Sequence, residues 1–233
     1  MRVRNDPGQY DDMAGEWWRP RGAFEALHWI AAARARLIPP ASREHAILVD
    51  MGCGAGLLAP HVRGKGYWHV GADLSATALP QARLHGVEPV RADVQRLPFR
   101  DGIADVVSAG EILEHVPDLR AAIAEACRIL RPGGLLVLDT IADTRVAALL
   151  TVTIGEHVPG GAPKGIHDPA LFVDRDLLVR ECARHGVALE LRGVRPSFRD
   201  AVAWATGRVP TVRMVPMSST AVLFQGRGVK LDR

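Results

Sequence analysis

The segment "SAGEILEHVPDL", Ser108 to Leu119, gathers Glu111, Glu114 and His115 at the exit of an apolar run, just ahead of a proline. Glu111 and Glu114 are three residues apart, and Glu111 and His115 four, so a helical turn would put all three side chains on one face. Two carboxylates that close repel each other unless a proton or a cation lies between them. Two oxygens and one imidazole nitrogen suit a hard or borderline divalent cation that keeps open positions for water and substrate. The plainer alternative makes Glu114 and His115 caps of the helix beginning near Asp118, with Glu111 solvated.

A second cluster follows the strand "AILVD" (Ala46 to Asp50), which runs into "MGCGAG" with Gly52, Gly54 and Gly56 in alternation. Glycines at a strand–helix turn let a ligand approach the backbone and leave N–H groups free to meet it. The spacing is not the G-x-G-x-x-G of a dinucleotide fold, and tight packing without a ligand is the competing explanation. Asp73 ends the next strand, where a carboxylate can accept from both hydroxyls of a ribose. Asp93 ends the one after, placed to receive an exocyclic amine. Three such strand ends in succession point to an adenosine ligand without a pyrophosphate.

These residues need a scaffold that brings strand ends to one rim, and the chain supplies it. Arg21 to Leu37 reads as a helix stopped by Pro39-Pro40. Strands follow at Trp68–Asp73, Glu88–Asp93 and Ile103–Gly110. Ser75 caps a helix ending at Gly86, and Asp118 caps "LRAAIAEACRIL", which Pro132-Gly133-Gly134 breaks before the strand "LLVLDT". Asp174 opens a helix stopped by Gly186, and "ALELRGV" and "TAVLFQG" are the last strands. The alternation predicts an α/β fold, a mostly parallel sheet with helices on both faces. One irregular stretch, Gly155 to Gly165, is rich in Gly and Pro and is expected to be a lid or binding element.

Composition narrows the class further. The 233 residues show no break that would divide them, so a single domain is expected over 1–233. A net charge of +3 does not by itself imply nucleic acid, although eight Lys/Arg from Arg192 onward face only Asp200 and Asp232. Cys53, Cys127 and Cys182 are odd in number and widely spaced, so no disulfide framework is expected and a reducing, cytoplasmic setting is. The strongest apolar run, Val146 to Ile154, is too short to span a bilayer. It is expected to be either an ordinary helix packed on the sheet or a flap touching a membrane surface.

"VDMGCGAG", "GADLS", "ADVQRLPF", "ADVVSAGEILEHV" and "ILRPGGLLVLDT" resemble, in order and spacing, the motifs of class I S-adenosylmethionine-dependent methyltransferases. The flanks "EWWRPRGAFEALHWI" and "PKGIHDPALFVDRDLL" are similar to the ubiquinone-biosynthesis O-methyltransferases, which methylate polyprenyl hydroxyphenols and demethylubiquinol. The resemblance implies a Rossmann-like, seven-stranded sheet with an antiparallel last strand, residues 1–40 as a helical cover and 141–170 as an insertion or lid. It puts Arg34 on the methionine carboxylate, Gly52 under the methionine portion, Asp73 on the ribose and Gly110 beside the cofactor. Asp50, Gly54, Gly56, Leu74, Asp93 and Val94 complete the expected cofactor set. Trp17 and Trp18 are core aromatics or close over it. Residues 197–225 fit the family only loosely.

The family uses E-x-x-E-H to bind magnesium, which implies Mg²⁺ or another divalent cation on Glu111, Glu114 and His115. The segment also resembles the metal site of small-RNA 3′-terminal 2′-O-methyltransferases, whose later histidine would here be His167. The expected acceptor is a phenolic or prenylated quinol whose hydroxyl the cation activates, with His167, Asp168 or His115 in catalytic roles. RNA 2′-O-methylation is the first rival, opposed by the lack of an aromatic and basic platform for RNA. A non-catalytic cofactor-binding protein is the second. No nucleic-acid partner is expected, and contact with the inner face of a membrane would be peripheral.

Overall fold

Apolar runs without polar alternation make the middle strands, because a parallel sheet covered on both faces buries both sides of each strand. The computed structural model describes residues 3–157 and 162–232. Its strands are β1 (Ala46–Met51), β2 (Tyr67–Asp73), β3 (Glu88–Arg91), β4 (Ala104–Gly110), β5 (Leu130–Ile141), β6 (Val187–Pro196), β7 (Met214–Met217) and β8 (Leu223–Lys230). The helices are α1 (Gly8–Asp12), α2 (Glu25–Ala35), α3 (Ala59–Val62), α4 (Ala78–Leu84), α5 (Leu119–Ile129), α6 (Arg145–Ala148), α7 (Arg175–Arg184) and α8 (Phe198–Ala205).

The sheet order is β3-β2-β1-β4-β5-β8-β6-β7, parallel from β3 to β5, with β8 antiparallel to both β5 and β6. Strand order reverses between β1 and β4, and the crevice above such a reversal is where open α/β sheets bind ligands. Register sets Asp50 beside Gly71 and Ser108, and Gly110 beside Asp139, so the rim carries the chemically loaded residues.

Among the described residues the sheet has eight strands, one more than the seven the resemblance implied. The addition is β7, reached through α8, in the region that fitted the family loosely. Pro216 lies in β7 opposite Val194, on an edge strand, where a residue that cannot donate a ladder hydrogen bond is tolerated. The expected break at Pro132–Gly134 is absent as a break: α5 runs into β5 at Leu130, and the strand absorbs the three residues as a register shift between Ala104 and Val106. A Cβ on Gly134 would fall 2.8 Å from the Arg131 carbonyl oxygen, so a larger residue would have to shift the backbone at this fold-back.

Two caps fall where the sequence set them, whereas α4 begins at Ala78 with Thr77, not Ser75, at its N-cap position. Asp118 accepts from Ala121 N at 3.0 Å to start α5, and Asp174 accepts from Asp176 N and Leu177 N to start α7. Below β4, the Asp105 carboxylate accepts from Arg43 Nε and Nη2, Arg131 Nε and Ile47 N, all within 2.8 Å, and ties the strand's start to both flanks. Of the C-terminal cations, Arg213 pairs with Asp200, and Lys230 Nζ donates to the carbonyls of Cys127 and Leu130. The basic third is therefore less free than its composition suggested, and Arg233 lies outside the described residues. Cys53, Cys127 and Cys182 are buried free thiols.

Candidate active site

The glycine turn after β1 is shaped by what lies on it. Gly52, at φ +68°, could carry no Cβ, which would meet Ile112 Cγ1 at 2.6 Å. At Gly54 the obstacle is the Trp17 ring, 2.7 Å from the same position. Trp17 packs on Phe24, centroids 4.2 Å apart, as a core aromatic, and its ring lies over the glycine turn. Trp18 donates to Ala55 O and stacks on His85.

Gly54 N donates to Asp73 Oδ2 and Ser75 N to Oδ1, each at 2.8 Å. Burial raises the Asp73 pKa, and the amides of Ser75, Gly54 and Leu74 oppose that rise. Each carboxylate oxygen has a second lone pair, so the carboxylate can still accept from a diol. Asp93 is held by Gln95 N and Nε2, while Asp50 Oδ2 lies 3.6 Å from His69 Nε2. Leu74 is half exposed beside Asp73. Val94, also expected at the cofactor, buries its side chain in the main core.

Arg34 lies buried across the rim with Nη1 2.5 Å from Asp139 Oδ1. Burial works against its charge, but Asp139, Asp50 and Glu111 outweigh burial and raise its pKa. Arg34 Nε has no partner, so a donor remains for a bound group. Asp139 was not singled out in the sequence, where it passes as the end of an apolar strand.

The E-x-x-E-H segment does not form the single helical face its spacing suggested. Glu111 takes φ +50°, outside any right-handed turn, and its N–H donates to Asp139 O. Only Leu113–His115 form a 3₁₀ turn. Glu114 is fully buried and accepts from Thr140 Oγ1 at 2.7 Å, while His115 turns toward the N-terminal segment. Neither caps α5, which Asp118 caps alone, so the capping alternative fails.

His115 Nδ1 lies 2.5 Å from Asn5 Oδ1, its Nε2 lies 3.2 Å from the Tyr10 hydroxyl, and its ring stacks on His167 with centroids 5.5 Å apart. The structure thus sets His115 against His167 and Glu111 close to Glu114. Asp168 is turned to a different task, capping the turn Pro169–Leu171 through Ala170 N.

Electrostatics explain the character of these residues. Burial, then Glu114 and Asp139, push the Glu111 pKa well up; burial likewise raises Glu114. Burial and the facing His167 push His115 down to about 3, and burial brings His167 down to about 4. Both imidazoles are neutral at physiological pH, as a metal ligand or a base requires. Glu111 Oε1, Glu114 Oε1 and His167 Nδ1 are buried without a partner. Buried polar atoms left so are costly unless something meets them. Carboxylate oxygens and neutral imidazole nitrogens are the kinds of donor a divalent cation takes. Among the described residues, no three His, Cys, Asp or Glu are already gathered at coordinating range, and both His115 nitrogens are engaged.

The N-terminal segment was expected as a cover, and its polar contacts were not anticipated. Asn5 N donates to Gly165 O, Arg4 pairs with Glu156 and donates to His167 O, and Asp11 Oδ1 accepts from Ser75 Oγ and Thr77 Oγ1. It therefore touches the loop after β2, the E-x-x-E-H segment and the stretch around residues 156–167. Of the expected lid, residues 158–161 lie outside the described residues.

Residues 49–138 match the family described as Methyltransferase domain. A ubiquinone biosynthesis O-methyltransferase of Thiobacillus denitrificans is 34% identical over 193 residues, covering 78% of this chain and 82% of its own. One from Idiomarina loihiensis is 33% identical over 190 residues, 74% of each chain. In fold, the chain is similar to a methyltransferase of Thermotoga maritima described as a possible histamine N-methyltransferase. That match has a TM-score of 0.65 over 95% of this chain and 96% of that one, at 18% identity.

Proposed function

We propose that this chain, which belongs to the ubiquinone-biosynthesis O-methyltransferases and takes S-adenosylmethionine as methyl donor, methylates one hydroxyl of an adjacent pair on a quinol ring. The observation that carries this is the set of buried polar atoms without a partner, Glu111 Oε1 and Glu114 Oε1 on the segment after Gly110 and His167 Nδ1 on the stretch whose ring packs against His115.

The cofactor, when bound, supplies an electrophilic methyl group on sulfonium. Asp73 and Arg34 are the charged groups that would hold its ribose and carboxylate, and Trp17 lies over the glycine turn. Displacement at a methyl carbon needs no covalent help from the protein, so the chain's main contribution is to fix the two reactants in line. Glu111, Glu114, His115 and His167 are the residues that would hold a divalent cation, and that cation would supply positive charge lowering the pKa of an acceptor hydroxyl. His167 Nδ1, neutral and unpartnered, suits either the fourth ligand position or the base that takes the hydroxyl proton. A His167→Gln variant that keeps its cation affinity and loses turnover makes it the base.

A prenylated acceptor must leave a bilayer to reach this site. Val146, Leu149, Leu150 and Ile154 are 44–51% exposed on α6 and the π-helical turn after it, which leave the sheet at the carboxyl end of β5. They form the surface we assign to a peripheral membrane contact. No helix among the described residues is long and apolar enough to cross a membrane. Mass spectrometry of the protein incubated with S-adenosylmethionine, Mg²⁺ and a catechol panel tests the proposal. A methyl ether on at least one catechol supports it; no transfer to any of them contradicts it.

A further inference from the structure

Asn5 lies 110 residues from His115 in sequence and is bound to it twice. Its Nδ2 donates to the His115 carbonyl at 2.9 Å and its Oδ1 lies 2.5 Å from Nδ1. A backbone carbonyl can only accept, so the NH₂ end of the amide must face it, and the oxygen end must face the ring. An oxygen that can only accept requires the proton on Nδ1. Nε2 is then left with a lone pair, and the Tyr10 hydroxyl 3.2 Å away is its donor. Asn5 can stand there because it sits at φ +60°, a left-handed conformation that asparagine tolerates, with its own N–H on Gly165 O at 2.9 Å.

We infer that Asn5 is a positioning residue: it holds His115 as the Nδ1–H tautomer, so that Nε2 offers its lone pair to whatever displaces the Tyr10 hydroxyl at the acceptor end. The hydrogen bond at one imidazole nitrogen decides what the other can do. The use made of Nε2 rests on the function proposed above; the tautomer does not.

The test is a ¹⁵N spectrum of the histidine rings in the free protein, with neither cation nor acceptor, His115 being identified by the signal lost in His115→Gln. Wild type is expected to show Nδ1 protonated and Nε2 bare. Asn5→Gly keeps the backbone conformation and removes the amide, and should give a mixed or reversed tautomer. Turnover of that variant should fall about tenfold at unchanged cofactor affinity. Asn5→Asp retains an acceptor for Nδ1–H and should restore the wild-type tautomer. A protonated Nε2 in wild type, or the wild-type tautomer and turnover in Asn5→Gly, would overturn the inference. Failure of methyl transfer to every catechol with the tautomers as expected would count against the function alone.

Discussion

The Arg34 guanidinium lies across Gly110 so closely that a Cβ there would fall 1.7 Å from Nη1, the same nitrogen that reaches Asp139 Oδ1 at 2.5 Å. Glycine at the end of β4 and aspartate at the end of β5 thus share one cation. The smallest side chain, Gly110→Ala, should push the guanidinium out of place and cost about 1–3 kcal/mol of stability, with cofactor affinity lost in parallel. Calorimetry and urea unfolding check both; normal binding by a stable Gly110→Ala protein would show that Arg34 has no part in the cofactor site.

Asp73→Ala removes the acceptor of two backbone amides as well as the group assigned to the ribose. Binding of S-adenosylmethionine should weaken by about 2 kcal/mol, measured by calorimetry. Unchanged affinity would move the ribose elsewhere.

Asp105 offers a test of the fold without touching the site. Burial works against its charge, but Arg43, Ile47 N and Arg131 outweigh burial and lower its pKa. A carboxyl whose pKa is lower folded than unfolded stabilises the protein above the unfolded value and loses that contribution as pH falls through the folded one. Asp105→Asn should therefore be less stable than wild type at pH 7 by about 1–2 kcal/mol, and the two urea midpoints should converge below about pH 4. A gap independent of pH would remove the charge from the explanation.

The apolar surface after β5 is open to a binding test. Liposomes containing anionic lipid should sediment the protein at low salt, less so with added salt, and less again with Leu149→Glu and Leu150→Glu. Both side chains are about half exposed, so these changes should leave folding intact. No sedimentation at low salt would point to an acceptor taken from solution.

How far the sequence could be read depended on how local each signal was. Strand ends, caps and the glycine turn were legible because their physics acts within a few residues: Asp118 and Asp174 cap where a capping residue must, and Asp73 ends β2 as expected. The site's chemistry was legible as residue types and not as geometry. Nothing in the spacing of Glu111, Glu114 and His115 says that Glu111 is left-handed, a conformation set by its position between Asp139 O and the turn that follows. Asn5, Tyr10 and Asp139 were missed because each acquires its role only through contacts more than 20 residues away in sequence. The α8–β7 addition was missed because "MVPM" is short and carries a proline, and reads as loop until the β6 edge pairs it.

The central claim is that Glu111 and Glu114 serve the acceptor and not the cofactor. Methyl transfer from isotopically labelled S-adenosylmethionine to a catechol oxygen tests it most directly, followed by mass spectrometry for wild type, wild type in EDTA, and Glu114→Gln, with cofactor affinity measured alongside. Labelled methyl ether is expected from wild type, with transfer lost in EDTA and in Glu114→Gln while cofactor affinity stays within about 1 kcal/mol. Full transfer in EDTA or by Glu114→Gln would contradict it.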